Sequence, residues 1–364
     1  MTKKLKILHF VTGGFSGATY VVVDIIIGQK FDNNIESLLV LRQKKNTNAE
    51  KLALLTSQDI DFEVITGNSH WASIRQLRTI IGKFQPDILL AHGFPEHLIG
   101  RWAGKGRVPV LLEVEHGSHE RYNWWKSWQT RHLSQFTNTA IGVSQGVAEV
   151  LSQQQLHCRI VAIANGVHTD KFFNQTPIAE RKKDIIMVAR FSKGKNHQIV
   201  IEAVARLKRQ NIQTNVSFLG SGSRRHLNRA KQLAQKLGVA EHVYFLGHQS
   251  NVAELLAEHK IFVLASLYEG LSLSVIEAMS AGCVVLGSDV VGIHELIDTE
   301  KDGFLFANDN SEQLAEQLAK ILQNPQQYQP IVELAQQKAK QHYDVSVMAK
   351  NYQQLFYQLI ENSD

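Results

Sequence analysis

Two glutamates in the second half of the chain have the spacing of a paired carboxylate site. Glu269 precedes a segment of helical periodicity and Glu277 lies inside it, within the run Ser266 to Met279. Carboxylates placed in this way are suited to bind sugar hydroxyls through charge-assisted hydrogen bonds, one on a transferred sugar and one on a ribose. The alternative is two unrelated surface glutamates, which is the weaker interpretation because the run follows a predicted strand.

The backbone between these glutamates has the composition of a strand-to-helix turn. Gly270 permits the turn, and Ser272 or Ser274 is suited to cap the helix that follows. The N–H groups from Leu271 through Leu273 to Ser274 would then face a ligand. We therefore predict a ligand-binding loop here.

A basic loop upstream supplies complementary charge. Arg190 follows the predicted strand Asp184 to Val188, and Lys195 precedes the helix predicted from Asn196 to Arg206. A guanidinium, an ammonium and the free N–H groups of a helix start together suit a phosphate. A solvated cationic loop is the alternative.

Glycines follow several predicted strands. Gly13 and Gly14 end the first strand, Gly220 and Gly222 a later one, and Gly247 the next. Such glycines let backbone N–H groups approach a ligand, although a tight turn with positive φ explains the first pair equally well. The later pair falls short of a complete dinucleotide fingerprint.

Two histidines end neighbouring predicted strands. His92 and His116, the latter preceded by Glu115, lie at the same sheet edge as Gly14. Each histidine alone is better explained as a hydrogen-bonded group at a strand end. Their shared edge favours His116 as a site residue.

An aromatic and basic run follows, from Arg121 to Arg131. It contains Tyr122, Trp124, Trp125, Lys126 and Trp128. Trp124 and Trp128 are one helical turn apart. Aromatic rings stack on sugars, and tryptophan mixed with lysine suits a lipid interface. Core packing is the alternative, since tryptophan is buried on average.

Strand-like runs that alternate with helical segments must position these residues. In the first half they are Lys6 to Phe10, Ile35 to Leu41, Phe62 to Ile65, Ile88 to Ala91, Val110 to Glu115, Thr139 to Val143 and Ile160 to Ile163. In the second half they are Asp184 to Val188, Asn215 to Leu219, Val243 to Leu246, Ile261 to Leu264, Val284 to Gly287 and Phe304 to Phe306. This alternation predicts two parallel sheets, whose ligands bind beyond the carboxyl ends of the strands.

Length and composition limit the class of protein. The 364 residues favour two domains, and the net charge of +5 is too small to argue for nucleic acid. Cys158 and Cys283 match no metal or redox spacing and fit a reducing cytosol. The longest candidate span, Val21 to Ile27, is interrupted by Asp24 and is too short for a bilayer.

Composition also suggests where the domains divide. Asn165-Gly166 and the polar stretch His168 to Lys183 resemble a turn and a linker. We place an N-terminal domain at 1–172, a second domain at 173–343 and a terminal helix at 344–364.

In this order, the motifs resemble the retaining glycosyltransferases of family 4. The matching positions are Gly13-Gly14, Glu115-His116-Gly117, Val143-Ser144, Asn165-Gly166-Val167, Arg190, Lys195, Gly220-Ser221-Gly222, Phe245-Leu246-Gly247, Glu269 to Met279 and Gly292 to Glu295. The resemblance implies an α/β protein of GT-B fold, with two Rossmann-like domains facing a cleft. It also implies a C-terminal helix that packs back on the N-terminal domain.

The resemblance implies transfer of a sugar from a nucleotide diphosphate sugar with retention at the anomeric carbon, without metal or other cofactor. The implied catalytic residues are His116, Arg190, Lys195 and Glu269. The implied donor-binding residues include Arg190, Lys195 and Glu269 again. The others are Gly14, Gly220, Gly247, Gly270, Leu271, Ser272, Leu273 and Glu277. On the acceptor side we place Gly13, His92, Trp124 and Trp125. The one D-x-D match, Asp59-Ile60-Asp61, is interpreted as a solvated edge.

Three departures from the family pattern leave the donor sugar open. His168 stands where the family has aspartate, Val291 replaces the first glycine of a pair, and Leu271-Ser272 replaces Phe-Gly. A UDP-sugar is favoured over a GDP-sugar. A sugar-nucleotide epimerase or hydrolase of the same fold, and a non-catalytic sugar-nucleotide-binding subunit, are the alternatives.

The acceptor is expected to be a saccharide or a lipid-linked glycan. The family resemblance suggests synthesis of a bacterial surface glycan, either lipopolysaccharide or another polysaccharide. The basic balance and the Trp/Lys/Arg run then fit a cytoplasmic enzyme bound peripherally to an anionic inner membrane face.

Overall fold

The computed structural model describes residues 4–117 and 124–361. The chain divides into two compact units: Met1–Gly166 with Val345–Asp364, and Val167–Asp344. The predicted boundary at 172 therefore lies six residues beyond the division. Arg121 and Tyr122 of the aromatic run lie outside the described residues.

Every predicted strand is present within about two residues of its expected bounds. The strands are β1 Leu5–Thr12, β2 Ile35–Arg42, β3 Phe62–Ile65, β4 Ile88–His92, β5 Val110–Glu115, β6 Thr139–Gly142, β7 Arg159–Ala162, β8 Lys183–Val188, β9 Val216–Leu219, β10 Val243–Gly247, β11 His259–Leu264, β12 Val284–Ser288 and β13 Phe304–Phe306.

Helices connect these strands. They are α1 Gly17–Gln29, α2 Ala49–Ser57, α3 His70–Phe84, α4 Glu96–Gly104, α5 Trp124–Ser134, α6 Gln145–Gln153, α7 Thr169–Phe172, α8 His197–Arg209, α9 Arg224–Lys236, α10 Val252–Glu258, α11 Leu273–Ser280, α12 Val291–His294, α13 Ser311–Gln323, α14 Gln329–His342 and α15 Val345–Glu361. Short 3-10 helices cover Ile178–Glu180, Lys193–Lys195, Ala240–His242 and Pro325–Tyr328.

The first unit is built on a seven-stranded parallel sheet in the order β3-β2-β1-β4-β5-β6-β7. Successive side chains of β1 alternate between two buried faces. Leu8 and Phe10 belong to a core cluster with residues of α3 and α4, whereas Val11 packs with residues of α1 and α2. Because both faces are covered, the strands are almost continuously apolar.

The terminal helix α15 packs on α1 of this first unit, as predicted. Tyr352 and Phe356 are fully buried. A Cβ added at Gly28 would lie 2.3 Å from the Ala349 Cβ, so the two helices touch where α1 has no side chain. The Tyr357 hydroxyl donates a 2.5 Å hydrogen bond to the Asp32 carboxylate just after α1. These contacts make α15 part of the first unit although it follows the second in the chain.

The second unit has a six-stranded parallel sheet in the order β10-β9-β8-β11-β12-β13. The stretch 168–183, predicted as a linker, is instead part of this unit. Phe172 and Ile178 are buried in it, and Arg181 is only 4% exposed. The Arg181 guanidinium donates to the carbonyl oxygens of His259, at 3.0 Å, and Ala281, at 2.9 Å. Polar composition was misleading because this arginine satisfies buried carbonyls instead of facing water.

Among the described residues, no helix has both the length and the apolar character needed to cross a bilayer.

Candidate functional site

Three loops at the carboxyl edge of the second sheet are joined through their backbones. Phe191 N–H, after β8, donates to Ser221 O, after β9, at 2.9 Å. Gly220 N–H donates to Gly247 O, at the end of β10, at 2.8 Å. The loop that carries Arg190 is therefore held in place by its neighbours.

The glycines of the second loop are required by this packing. Gly220 and Gly222 have φ of 143° and 154°, which favours glycine. Added Cβ atoms would lie 2.2 Å from Ala189 O and 2.5 Å from Phe191 O. The Gly220 N–H is bonded to Gly247 O and is therefore not free to bind a ligand.

Lys195 and Glu269, which are far apart in sequence, form an ion pair at this edge. Lys195 lies in the 3-10 turn before α8, and Glu269 lies in the loop after β11. The Ser266 hydroxyl also donates to the same carboxylate oxygen of Glu269, at 2.7 Å. The side chains of Lys195 and Glu269 are 22% and 14% exposed, so neither is fully buried.

The two segments that carry this pair are also joined by backbone contacts that sequence analysis missed. Leu267 N–H donates to Gly194 O at 2.8 Å. A Cβ added at Gly194 would lie 2.8 Å from the Tyr268 ring. The glycine between two lysines was the available signal, since it marks a close approach of another chain segment.

Arg190 is placed differently from Lys195. Its side chain is exposed, and it makes neither an ion pair nor a side-chain hydrogen bond with any described residue. The cation is therefore uncompensated in this structure, whereas Lys195 is neutralised by Glu269.

The start of α11 differs in detail from the expectation. Ser272 occupies the N-cap position, but its side chain makes no capping hydrogen bond and lies 3.3 Å from the Ser274 hydroxyl. Ser272 N–H donates to Gly292 O at 3.1 Å and is not free for a ligand. A Cβ added at Gly292 would lie 2.4 Å from Gly270 O, so this glycine lets the Glu269 loop pack on α12.

Glu277 lies in the second turn of α11, and the residue is half-buried. Burial raises the pKa of Glu277 to about 7, an effect that the positive charge of Lys171 opposes. Lys171 belongs to α7, in the stretch that sequence analysis assigned to a linker, and was therefore missed. Perturbed carboxyl groups of this kind are typical of functional sites.

At the edge of the first sheet, the alternative that Gly13 and Gly14 form a tight turn with positive φ is not what the structure has. The positive φ of 47° falls on Phe15 and on neither Gly13 nor Gly14. A Cβ added at Gly13 would lie 2.8 Å from Arg42 O, so this glycine permits close packing of the loops after β1 and β2. Gly14 O accepts a 2.6 Å hydrogen bond from the Asn46 side chain.

His92 and His116 are brought together as expected, and His9 of β1 joins them. The ring centroids of His9 and His92 are 5.8 Å apart, and those of His92 and His116 are 5.7 Å apart. His92 is 1% exposed, and neither of its ring nitrogens has a hydrogen-bond partner among the described residues. The interpretation of His92 as a hydrogen-bonded histidine is therefore wrong.

Burial keeps these imidazoles neutral. It lowers the pKa of His9 and of His116 to about 4 in each case, and that of His92 also falls well below its usual range. His9 Nε2 donates to the Gln29 side-chain oxygen at 3.1 Å. Sequence analysis missed His9 because it lies in the middle of a strand.

The tryptophans of α5 are exposed, so the core-packing interpretation is wrong. Trp124 is 79% exposed, Trp125 49% and Trp128 51%. Trp125 and Trp128 stack on each other with centroids 5.0 Å apart. Their role is not explained by the stability of the first unit.

Within 4–117 and 124–361, the histidine, cysteine, aspartate and glutamate side chains form no group of three or more that could hold a metal ion. Asp59 of the D-x-D match is fully exposed, has a φ of 53° and pairs with Lys30 at 3.1 Å. This match is a solvated turn, as predicted.

Two protein-family models match adjoining parts of the chain. The model described as Glycosyl transferases group 1 matches residues 168–338, and the model described as Glycosyltransferase Family 4 matches residues 64–171. The matched ranges include His92, His116, Lys195, Glu269 and Glu277, but not the loops after β1 and β2.

Individual proteins give the same picture. EpsD of Bacillus subtilis, whose assignment as a glycosyltransferase is provisional, is 29% identical over 278 residues, which are 70% of this chain and 72% of EpsD. The UDP-Gal:α-D-GlcNAc-diphosphoundecaprenol α-1,3-galactosyltransferase of Escherichia coli is 25% identical over 253 residues, or 64% of this chain and 65% of that enzyme.

The fold is also that of a solved structure. HepE of Anabaena, crystallised with UDP, superposes with a TM-score of 0.86 at 20% identity. The superposition covers 97% of this chain and 100% of the HepE chain. At that identity the similarity shows the GT-B fold alone.

Proposed function

Since this chain is a glycosyltransferase of the family 4 type, we propose that it transfers a glycosyl unit from a nucleotide diphosphate sugar with retention at the anomeric carbon. The observation that carries this proposal is the Lys195–Glu269 ion pair at the carboxyl edge of the second sheet. It places a cation for a diphosphate beside a carboxylate for sugar hydroxyls.

The proposed donor is a UDP-sugar. The named E. coli relative uses UDP-Gal, and HepE binds UDP. In this chain the Glu277 carboxylate would accept hydrogen bonds from the ribose hydroxyls, and Glu269 would accept them from the transferred sugar. Lys195 and the uncompensated Arg190 would hold the diphosphate.

In the proposed reaction, the bond between the anomeric carbon and the donor diphosphate breaks. Negative charge then grows on the leaving diphosphate, which Lys195 and Arg190 stabilise more strongly than they stabilise the bound donor. The acceptor hydroxyl attacks from the same face, and the departing phosphate takes its proton. No side chain of this chain is required as a covalent nucleophile.

The proposed acceptor is a lipid-linked saccharide of a bacterial glycan. The E. coli relative acts on a sugar joined to diphosphoundecaprenol. For this chain, we place the acceptor at the edge of the first sheet that carries Gly13 and His116. His116 would meet it as a neutral imidazole that accepts or donates one hydrogen bond.

Ligand-induced thermal stabilisation tests the donor site. UDP, GDP and ADP are each added to the wild type, Lys195→Ala and Glu277→Ala, because a ligand that binds only the native state raises the melting temperature. We expect UDP to stabilise the wild type most and both variants much less. Lys193→Ala removes an exposed lysine from the same 3-10 turn and is the matched control.

Transfer is then measured with a UDP-sugar and a diphosphate-linked acceptor. Lys195→Ala and Glu277→Ala should lose about 100-fold or more in turnover, the scale of losing a group that stabilises transition-state charge. If both variants were stabilised by UDP as much as the wild type and also had its turnover, the assignment of the site would be refuted.

A further inference from the structure

The aromatic face of α5 lies outside the proposed donor site and has no function in it. Trp125 and Trp128 stack at 5.0 Å, and Trp128 stacks in turn on His132 at 5.3 Å with the rings 5° from parallel. Trp125, Trp128 and His132 thus form a column of stacked rings, and Trp124 lies edge-on to Trp125 with the centroids 5.7 Å apart. A column of large exposed rings on a helix marks an interaction surface.

The opposite side of α5 is anchored in the first unit. Thr130, Leu133 and Ser134 are buried. The Ser134 hydroxyl accepts a 2.8 Å hydrogen bond from His157 N–H, which ties the end of the helix to the segment before β7. The indoles are therefore presented by a fixed helix and not by a loosely attached one.

All the ionisable side chains of α5 are basic. Between Trp124 and Ser134 the sequence contains Lys126, Arg131 and His132 but no aspartate or glutamate. Arg131 is exposed and makes no ion pair with any residue in the described part of the chain. A partner that complements this surface carries negative charge.

A cavity of about 540 Å³ opens beside the ring column. It is lined by Trp128, Arg131, His132, Gln135 and His157. The arginine and the two imidazoles can each donate hydrogen bonds to a phosphate, while the Trp128 ring forms an apolar wall. The cavity thus combines a phosphate-binding rim with an aromatic side.

We propose that α5 docks the first unit onto an anionic phospholipid surface, with Trp124, Trp125 and Trp128 among the headgroups and a lipid phosphate in the cavity at Arg131. Indole rings favour the membrane–water interface, and basic side chains pair with anionic headgroups. The inference extends the proposed function, because a surface that binds lipid brings the enzyme to a lipid-linked acceptor.

Vesicle sedimentation tests this docking without donor or acceptor. The wild type should bind vesicles of phosphatidylglycerol mixed with phosphatidylcholine, and should bind pure phosphatidylcholine vesicles much less. Arg131→Glu should lower the partition coefficient by about 25-fold, since each basic residue near such a surface contributes roughly fivefold and charge reversal acts twice. The double substitution Trp125→Ala/Trp128→Ala should also lower it, because two rings that favour the membrane–water interface are lost. Phe31→Ala, which removes an 89% exposed ring after α1, should bind like the wild type.

A second measurement does not depend on the variants. Brominated lipids quench tryptophans that enter the interface, so fluorescence of the wild type should fall on vesicle binding, and the double variant should lose most of this quenching. Equal binding by the wild type and both α5 variants, or no quenching, would overturn the proposal. A fall in oligomeric state of the double variant in size-exclusion chromatography, with vesicle binding unchanged, would assign the surface to a second copy of the chain.

The two proposals fail separately. If the α5 variants lose vesicle binding but keep normal turnover on a water-soluble acceptor, the docking surface is supported and the proposed transfer reaction is unaffected. Normal vesicle binding without turnover on any acceptor refutes the proposed function and leaves the docking surface standing.

Discussion

Lys195 and Glu269 neutralise each other at the carboxyl edge of the second sheet, and Ser266 donates a further hydrogen bond to the same carboxylate oxygen. A diphosphate that takes the Lys195 ammonium must therefore compete with Glu269. A sugar hydroxyl that donates to Glu269 removes part of this competition. The two halves of a nucleotide diphosphate sugar should thus bind cooperatively, each through one member of the pair.

Glu269→Gln should separate nucleotide binding from transfer. The amide leaves Lys195 free, so UDP should bind about fivefold more tightly, the equivalent of about 1 kcal/mol for a partly exposed pair. Turnover should fall about 100-fold because the charged contact to the sugar is lost. Calorimetry with UDP and initial rates measure the two effects.

The control for this substitution is Glu258→Gln. Glu258 pairs with Lys183 at 2.5 Å on an exposed surface of the same unit and should affect neither quantity. Weaker UDP binding in Glu269→Gln would contradict the competition between diphosphate and carboxylate.

Glu277 should make both donor affinity and stability depend on pH. Its pKa is raised from 4.5 to about 7, so the folded state retains a proton that the unfolded state loses above pH 4.5. The stabilisation is complete below about pH 4.5 and is lost as the pH rises to about 7, on the order of 1 to 3 kcal/mol. Donor binding, which uses the carboxylate, should strengthen over the same interval.

Glu277→Gln is uncharged at every pH and isolates this group. The melting temperature of the wild type minus that of the variant should decrease from pH 4.5 to 7. It should be constant above about pH 8. A difference that stays flat across this range would show that burial does not hold the proton on Glu277.

Gly292→Ala should disturb the site, because the added Cβ would lie 2.4 Å from Gly270 O and must displace the Glu269 loop. We expect a loss of about 1–3 kcal/mol in stability, with weaker UDP binding. Gly82→Ala is the matched control: Gly82 is exposed within α3, and nothing lies within 4 Å of a Cβ added there. That substitution should stabilise the chain by up to about 1 kcal/mol. Equal thermal melts of the two variants would argue against the steric explanation.

Arg101→Leu should destabilise the first unit. Arg101 is 1% exposed and pairs with the buried Glu113 at 2.7 Å. Removing it leaves an uncompensated carboxylate, at a cost of about 3–5 kcal/mol, whereas Arg101→Leu/Glu113→Leu should recover much of this loss. Lys30→Ala, which breaks an exposed pair with Asp59, should cost less than about 1 kcal/mol. Thermal unfolding compares the variants, and a double variant no more stable than Arg101→Leu would contradict the account.

The sequence alone determined the two parallel sheets, because strands buried on both faces must be apolar along their length and their boundaries are then visible in composition. It also determined which strand ends carry histidine, glycine and glutamate, since these break the apolar runs. The similarity of the motifs to family 4 indicated the class of enzyme, which the family models match independently.

Only the tertiary structure decided which of these residues meet. The Lys195–Glu269 pair joins positions 74 residues apart, and no local pattern encodes the register of the loops that carry them. The same holds for His9, which reads as an ordinary strand residue until the neighbouring strand places His92 beside it. Exposure was decided in the same way: the α5 tryptophans face water and Arg181 is buried, because burial depends on what the rest of the chain covers and not on the residue type.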